Sequence, residues 1–163
     1  KSGDGAGVLV QIPHQFFHRE CEVLGFQLPD PGNYSIGMIF AHRYEEFKKV
    51  QMQALEKIIK DEGQRVLGWR EVPIDPTTIG NSALAAMPGF LQVFIGKSPE
   101  IKDDIEFERK LYIIRKLAEK TIIPLSEGVG GTFYIASLSS RTLVYKGMLT
   151  AEQLRNFYLD RRS

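Results

Sequence analysis

Two histidines and the single cysteine of this chain lie close together, at a spacing that could suit a metal ion. His14, His18 and Cys21 are separated by four and three residues, so a helix would place them on one face. Imidazole and thiolate both bind zinc, but a structural zinc site needs four ligands, and His42 is the one other histidine. The two phenylalanines between the histidines favour a short packed helix with polar residues at its edge. We therefore expect no metal site here.

Cys21 also has the side chain that attacks carbonyl carbons in covalent catalysis. A catalytic thiol needs a lowered pKa, usually from a neighbouring base or a helix start. Glu20 and Glu22 flank Cys21, and their negative charges would raise its pKa. We expect an ordinary structural or surface cysteine. Because one cysteine cannot form an internal disulfide, the sequence favours a reducing, cytoplasmic location.

Two glycine-containing segments bear a partial likeness to phosphate-binding loops. Gly3–Gly7 precedes a predicted strand at Val8–Ile12, whereas a dinucleotide fingerprint lies between a strand and a helix. It is either a tight entry loop, which is the commoner case, or a backbone nest for an anion. Gly-Lys-Ser at 96–98 fails as a phosphate loop, because Gly89 is seven positions earlier and Pro99 follows directly. We expect no cofactor-binding residue in either segment.

Charged residues with potential acid–base chemistry occur mainly on two predicted amphipathic helices, Arg43–Glu62 and Asp103–Lys120. The apolar stripes predicted to face the core are Tyr44, Phe47, Val50, Leu55, Ile58 and Ile59 on the first helix, and Phe107, Leu111, Ile114 and Leu117 on the second. The charges predicted to form a solvated face of the first helix are Glu45, Glu46, Lys48, Lys49, Lys57 and Lys60. On the second helix, Glu106, Glu108, Arg109 and Lys110 favour surface ion pairs over catalysis.

Predicted strands separate these helices. They occupy residues 34–41, 64–72 and 90–95, with Trp69 expected in the core and a loop containing at most one helical turn at 73–89. A glycine-rich loop is predicted at Ser126–Gly131. The pattern indicates helices packed over largely antiparallel sheets, an α+β arrangement.

The segment from residue 131 to residue 149 has the clearest local pattern. Strands are predicted at Thr132–Leu138 and Arg141–Tyr145, and the two serines between them indicate either a hairpin or a tight corner. A helix follows, for which Thr150 and Gln153 form a capping box, with Leu149 and Leu154 at the hydrophobic staple positions.

Composition limits the function further. The 163 residues suit a single domain, and a net charge of +1 gives no basic surface for nucleic acid. The apolar runs are far shorter than the roughly 18 residues that a membrane-spanning helix requires. The chain starts at Lys1 and enters a motif at once, so we expect a piece of something longer.

Six segments, in order, resemble the N-terminal class II glutamine amidotransferase domain of the glutamate synthase large subunit. They are SGDGAGVLVQIPHQFF (2–17), YSIGMIF (34–40), LGWREVP (67–73), LQVFIGK (91–97), FERKLYIIRK (107–116) and SLSSRTLVYKGML (137–149). The resemblance implies a four-layer αββα N-terminal-nucleophile-hydrolase sandwich. In that family an N-terminal cysteine attacks the side-chain amide of glutamine, and its own α-amino group is the base. The ammonia released is added to 2-oxoglutarate.

The family's catalytic groups have no counterpart at matching positions here. An N-terminal cysteine, an arginine that binds the substrate carboxylate and an Asn-Gly oxyanion pair are required. Lys1 stands at the N-terminus, neither Asn33 nor Asn81 precedes glycine, and Arg141 lies in a segment that is not the substrate clamp. We therefore expect residues 1–163 to be the central part of one such domain, truncated at both ends. The resemblance places FMN and an iron–sulfur cluster in other domains of the parent protein, and these domains would be the partners.

Two functions remain open at this point. The first is the scaffold portion of a glutamate synthase glutaminase domain, inactive by itself. The second is a stand-alone relative that binds a ligand or partner without catalysis. An unrelated enzyme that uses His14, His18 or Cys21 is a distant third.

Overall fold

A computed structural model describes residues 5–128, 132–147 and 149–162. The strands in this part are β1 (Ala6–Gln11), β2 (Tyr34–Ala41), β3 (Arg65–Glu71), β4 (Gly89–Gly96), β5 (Tyr134–Ser139) and β6 (Thr142–Gly147). The α-helices are α1 (His14–Leu24), α2 (Glu45–Asp61), α3 (Asn81–Ala85), α4 (Asp104–Glu127) and α5 (Ala151–Phe157), and short 3-10 turns occupy Pro76–Thr78 and Leu159–Arg161.

The strands form two antiparallel sheets. One has four strands in the order β3-β4-β2-β5, and the other pairs β1 with β6. Alternate residues of β2 point to opposite faces, so Ile36 and Met38 enter one core cluster while Ile39 and Ala41 enter another. The first cluster lies between the two sheets and includes α1 and α5, and the second lies between the larger sheet and α2 and α4. The predicted α+β class with antiparallel sheets is confirmed.

The segment between β5 and β6 is a tight corner rather than a hairpin. The two strands are consecutive in the chain but belong to different sheets, so their described residues form no backbone ladder with each other. Glu108 on α4 holds the corner, because its Oε1 accepts hydrogen bonds from Ser139 Oγ at 2.7 Å, Ser140 N at 3.0 Å and Ser140 Oγ at 3.0 Å. Of the two alternatives for this segment, the corner is right.

The helix that follows β6 has the predicted start. Thr150 Oγ1 accepts from Gln153 N at 3.1 Å, and Gln153 Oε1 accepts from Thr150 N at 2.9 Å, which completes the capping box. Leu149 and Leu154 at the staple positions are both buried in the core between the sheets. This prediction is confirmed.

The long helix α4 runs further than predicted. It continues past Lys120 to Glu127 and contains Pro124, which has no N–H to donate to the helix. Burial of Ile122 and Ser126 favours the extra turns, and Ser126 Oγ donates to the Ile122 carbonyl at 2.7 Å. The prediction of a loop from Ser126 is therefore wrong for Ser126 and Glu127, which belong to α4. Residues 129–131 of the predicted loop lie outside the described residues.

Two of the predicted helix faces also need correction. Lys48, predicted to be solvated, is only 8% exposed, and its Nζ lies 2.9 Å from Glu45 Oε2 and 3.0 Å from Glu71 Oε1. Tyr44, the residue before α2, and Val50 within α2 are exposed, so their prediction as part of the core-facing stripe is wrong. Leu117 of α4 is also on the surface, because the buried stripe passes from Ile114 to Ala118 and Ile122. Trp69, predicted in the core, is half-buried and packs against the cluster between the larger sheet and helices α2 and α4.

Candidate functional site

Of the three residues that suggested a metal site, the two histidines have separate partners and the cysteine is buried. His14 Nδ1 is 2.8 Å from Tyr34 Oη, and His18 Nδ1 is 3.5 Å from Glu22 Oε1. Cys21 lies on the buried side of α1. Across 5–128, 132–147 and 149–162, no group of three or more His, Cys, Asp or Glu side chains is arranged to hold a metal ion.

Cys21 is a buried thiol. Burial raises its pKa to about 12, the charge of Glu20 contributes in the same direction, and Arg70 opposes them. The sequence suggested flanking glutamates as the cause, whereas burial is the larger one. Because the thiolate is the nucleophile, the raised pKa and the burial of Cys21 both lower its reactivity at neutral pH.

The glycine-containing segments do not form a phosphate-binding loop among the described residues. In the first segment, Gly3–Gly7, residues 3 and 4 lie outside the described part of the chain, and β1 begins at Ala6. In the second, Lys97 N donates to the Asn33 carbonyl at 2.9 Å and Ser98 N donates to Gln64 Oε1 at 2.8 Å. These amides are already used within the fold, and α4 begins only at Asp104.

The predicted surface charges of α4 have different roles. Lys110 Nζ lies 3.3 Å from Glu62 Oε1, which is an ion pair of the predicted kind. Glu106 Oε2 accepts from the backbone N of Lys102 at 2.9 Å and therefore helps to define the helix start. Glu108 was predicted to form a surface ion pair, but within the described part of the chain its carboxylate instead fixes the β5–β6 corner.

A buried polar network centred on Arg70 of β3 was not predicted. The Arg70 side chain is 4% exposed, and its two terminal nitrogens contact both carboxylate oxygens of Asp160, at 2.7 Å and 2.8 Å. The guanidinium also donates to Glu20 Oε1 at 3.0 Å and to Gln92 Oε1 at 2.9 Å. A two-bond contact of this kind fixes both distance and orientation.

Tyr145 of β6 connects this network to the smaller sheet. Its Oη donates to Asp160 Oδ2 at 2.9 Å and accepts from Gln92 Nε2 at 3.4 Å. Burial and the charge of Asp160 raise the pKa of Tyr145, so it stays a neutral phenol. Burial by itself lowers the Arg70 pKa, but the hydrogen bonds and charge of Asp160 outweigh it and raise the pKa.

The Arg70 network therefore ties together five parts of the fold: β3 and β4 of one sheet, β6 of the other, α1, and the 3-10 turn at Leu159–Arg161. All of its charged groups are paired, and arginine does not lose its proton in proteins. Its role is to position these elements. A usable signal was present in the sequence, since Arg70 and Gln92 each interrupt an apolar strand.

A second polar cluster connects the helical layer to β5. The buried Gln51 of α2 accepts from the backbone N of His42 at 2.8 Å. Its Nε2 donates to Ser126 Oγ at 2.8 Å and to the Thr132 carbonyl at 2.9 Å. Gln51 therefore holds the end of α4 and the entry to β5 in place, and this cluster is also structural.

The fold and these clusters define an antiparallel α+β scaffold domain, in which the polar side chains position elements. Among the described residues, no helix has the length and apolar content needed to cross a membrane. The chain belongs to the class-II glutamine amidotransferases, whose family model matches residues 1–163.

Several curated glutamate synthases match the chain. The chain is 49% identical over 160 residues to the glutamate synthase [NADPH] large chain of Bacillus subtilis, 41% identical over 159 residues to ferredoxin-dependent glutamate synthase 1 of Arabidopsis thaliana, and 38% identical over 169 residues to the glutamate synthase [NADH] of Saccharomyces cerevisiae. Each match covers 98% of this chain but only 8–10% of the relative.

Proposed function

We propose that residues 1–163 are the central, scaffold part of the glutaminase domain of a glutamate synthase large chain. The complete domain would hydrolyse the side-chain amide of glutamine with water, giving glutamate and ammonia, and the ammonia would be added to 2-oxoglutarate. The observation that carries the proposal is the match of nearly the whole chain, at 49% identity, to a glutamate synthase large chain. The stand-alone binding module has no comparable support.

The catalytic groups in this proposal belong to sequence outside residues 1–163. Within the chain, the Arg70 network holds the two sheets at a fixed separation, and Glu108 sets the corner where the chain passes between them. Catalytic side chains need positions accurate to a fraction of an ångström, which rigid elements supply. The scaffold would give that accuracy to groups on adjoining strands.

The parent protein would carry FMN and an iron–sulfur cluster in other domains, and those domains would be the partners of this one. We also propose a cytoplasmic location. Its support is the single, buried, free thiol at Cys21, which is typical of proteins in a reducing compartment.

The test is an ammonia-release assay on the full-length protein that contains these residues. We expect glutamine-dependent ammonia release that is abolished when the N-terminal cysteine of the mature protein is replaced by alanine. Release that persists in the alanine variant, or a full-length protein that binds a partner but never turns over glutamine, would contradict the proposal.

A further inference from the structure

An exposed groove runs between α4 and the β5–β6 corner. The groove residues are Ile105, Glu108, Arg109, Tyr112, Ile113 and Arg141, and they line a solvent-open volume of about 530 Å³. None of them belongs to the buried networks around Arg70 or Gln51. We call this feature the α4 groove.

The floor of the α4 groove is apolar, although α4 already has a buried apolar stripe on its other side. Ile105, Tyr112 and Ile113 are 58%, 61% and 43% exposed. The inward stripe of Phe107, Leu111 and Ile114 is completely buried. A surface helix normally has one apolar face, so a second one beside a groove marks an interaction surface.

The rim of the α4 groove is positively charged. Within the described residues, Arg109 and Arg141 form no ion pair, whereas other cations of the same helix do, such as Lys110 with Glu62 and Arg115 with Glu119. Glu108 supplies the one negative charge in the lining, and its Oε1 already accepts three hydrogen bonds from the β5–β6 corner. Two arginines are therefore free to bind carboxylates.

The groove is also preformed. Because Glu108 holds Ser139 and Ser140 against α4, the backbone of Arg141 is kept at a fixed distance from the helix. Little backbone entropy is then lost from the groove when a partner binds. Tyrosine and arginine are the residue types most enriched in the central contacts of protein interfaces.

We propose that the α4 groove binds a segment of the same longer polypeptide, outside residues 1–163, that carries an aliphatic or aromatic side chain next to one or more carboxylates. This rests on the proposed function, in which the chain is part of a longer polypeptide, since the matched relative is about ten times as long as this chain. The apolar anchor would cover Ile105, Tyr112 and Ile113, and the carboxylate would pair with Arg109 and Arg141.

A second copy of the chain is the less suitable occupant. In a two-fold symmetric dimer the same surface faces itself, so the arginines of one groove would meet those of the other. Like charges brought together at an interface cost several kcal/mol. The unpaired cations therefore favour an acidic segment of different sequence.

The test places a photo-crosslinker in the groove of the full-length protein. Ile113 is replaced by p-benzoylphenylalanine, the protein is irradiated, and the crosslinked peptides are sequenced by mass spectrometry. We expect an intrachain crosslink to an acidic segment outside residues 1–163. A crosslink to a second copy or to another protein, or no crosslink, overturns the proposal.

Charge-reversal variants make the test sharper. We expect the combined Arg109→Glu and Arg141→Glu substitutions to lower the crosslink yield about tenfold, since attraction becomes repulsion at both positions. Lys120→Glu reverses one charge on α4 outside the groove and should leave the yield unchanged, whereas either single arginine reversal should lower it. An intrachain crosslink that the double reversal does not weaken would refute the acidic segment.

The result is independent of the glutaminase assay. If the crosslink forms as expected but the full-length protein releases no ammonia, the groove proposal stands and the proposed function fails. If ammonia is released but the groove gives no intrachain crosslink, the proposed function stands and the groove proposal fails.

Discussion

At the scale of single residues, Arg70 and Asp160 are the pair on which the arrangement of the two sheets depends most. Both side chains are almost completely buried, at 4% and 5% exposure. Asp160→Ala would leave Arg70 buried with only Glu20 to neutralise it. We expect the free energy of unfolding, measured by urea denaturation, to fall by about 3–5 kcal/mol.

The matched control is Asp61→Ala, which removes the carboxylate of an exposed ion pair with Lys57. It should cost at most about 1 kcal/mol, because water screens exposed pairs. Equal losses for the two variants would show that the Arg70 network does not stabilise the fold. Replacing Arg70 by Met in the Asp160→Ala background should recover part of the loss, since no buried charge is then left unpaired.

Cys21 gives a prediction about pH. Its pKa is about 12 in the folded chain, against an ordinary value of 9.0, so the unfolded chain loses this proton first as the pH rises. Above pH 9 the folded state therefore binds more protons, and the free energy of unfolding must decrease with pH. The same group contributes no pH dependence below its unfolded pKa.

The measurement compares wild type with Cys21→Ala between about pH 9 and 10.5. The wild-type free energy of unfolding should fall more steeply, by up to about 1.4 kcal/mol per pH unit. Absolute stabilities do not matter, because only the slopes are compared. Parallel slopes would mean that Cys21 titrates normally in the folded state.

The sequence indicated the flanking glutamates as the cause of a raised Cys21 pKa, whereas burial is the larger cause, and it did not predict the Arg70 network. Partners such as Arg70 and Asp160 are 90 positions apart, and a pattern in one sequence does not reveal that distant residues meet. An arginine within LGWREV and a glutamine within LQVFIG were visible as polar residues in apolar strands. Their burial depended on the packing of both sheets.

At the scale of elements, the start of α5 is set by local chemistry and can be tested by itself. Thr150→Ala removes the side-chain acceptor for Gln153 N and should lower the free energy of unfolding by about 1 kcal/mol. Thr150→Ser keeps the acceptor and should cost much less. Thr121→Ala, at an exposed position of α4, is the control for the loss of a threonine. A loss at Thr121 as large as that at Thr150 would contradict the capping role.

Most elements could be predicted because their signals are local. The bounds of β2 match the predicted strand, and Gly63, with φ 81°, ends the region of α2 as expected. The end of α4 could not be predicted, because burial of Ser126 offsets the disruption at Pro124. The corner between β5 and β6 could not be distinguished from a hairpin, because the choice depends on Glu108, thirty-one positions before Ser139.

At the scale of the whole molecule, the sheet formed by β1 and β6 has only two strands among the described residues. Two strands are marginally stable unless more strands or helices cover them. Leu9 at its surface is 65% exposed. We expect the isolated 163-residue chain to self-associate through this sheet, which analytical ultracentrifugation would detect as a concentration-dependent mass.

Leu9→Lys places a charge on β1, at the edge proposed for self-association, and should shift the isolated chain toward the monomer. As the control, Gln53→Lys adds the same charge to an exposed position of α2 and should leave the association state unchanged. An isolated wild-type chain that stays monomeric and melts in one sharp transition would contradict the expected incomplete sheet.

The central claim is that these residues are a framework whose reactive groups lie in adjoining sequence. The direct measurement is ammonia release from glutamine by two proteins assayed side by side: the 163-residue chain and the same chain with its flanking sequence, including an N-terminal cysteine. We predict no release by the first and glutamine turnover by the second. Turnover by the 163-residue chain, or none by the extended one, would contradict the claim.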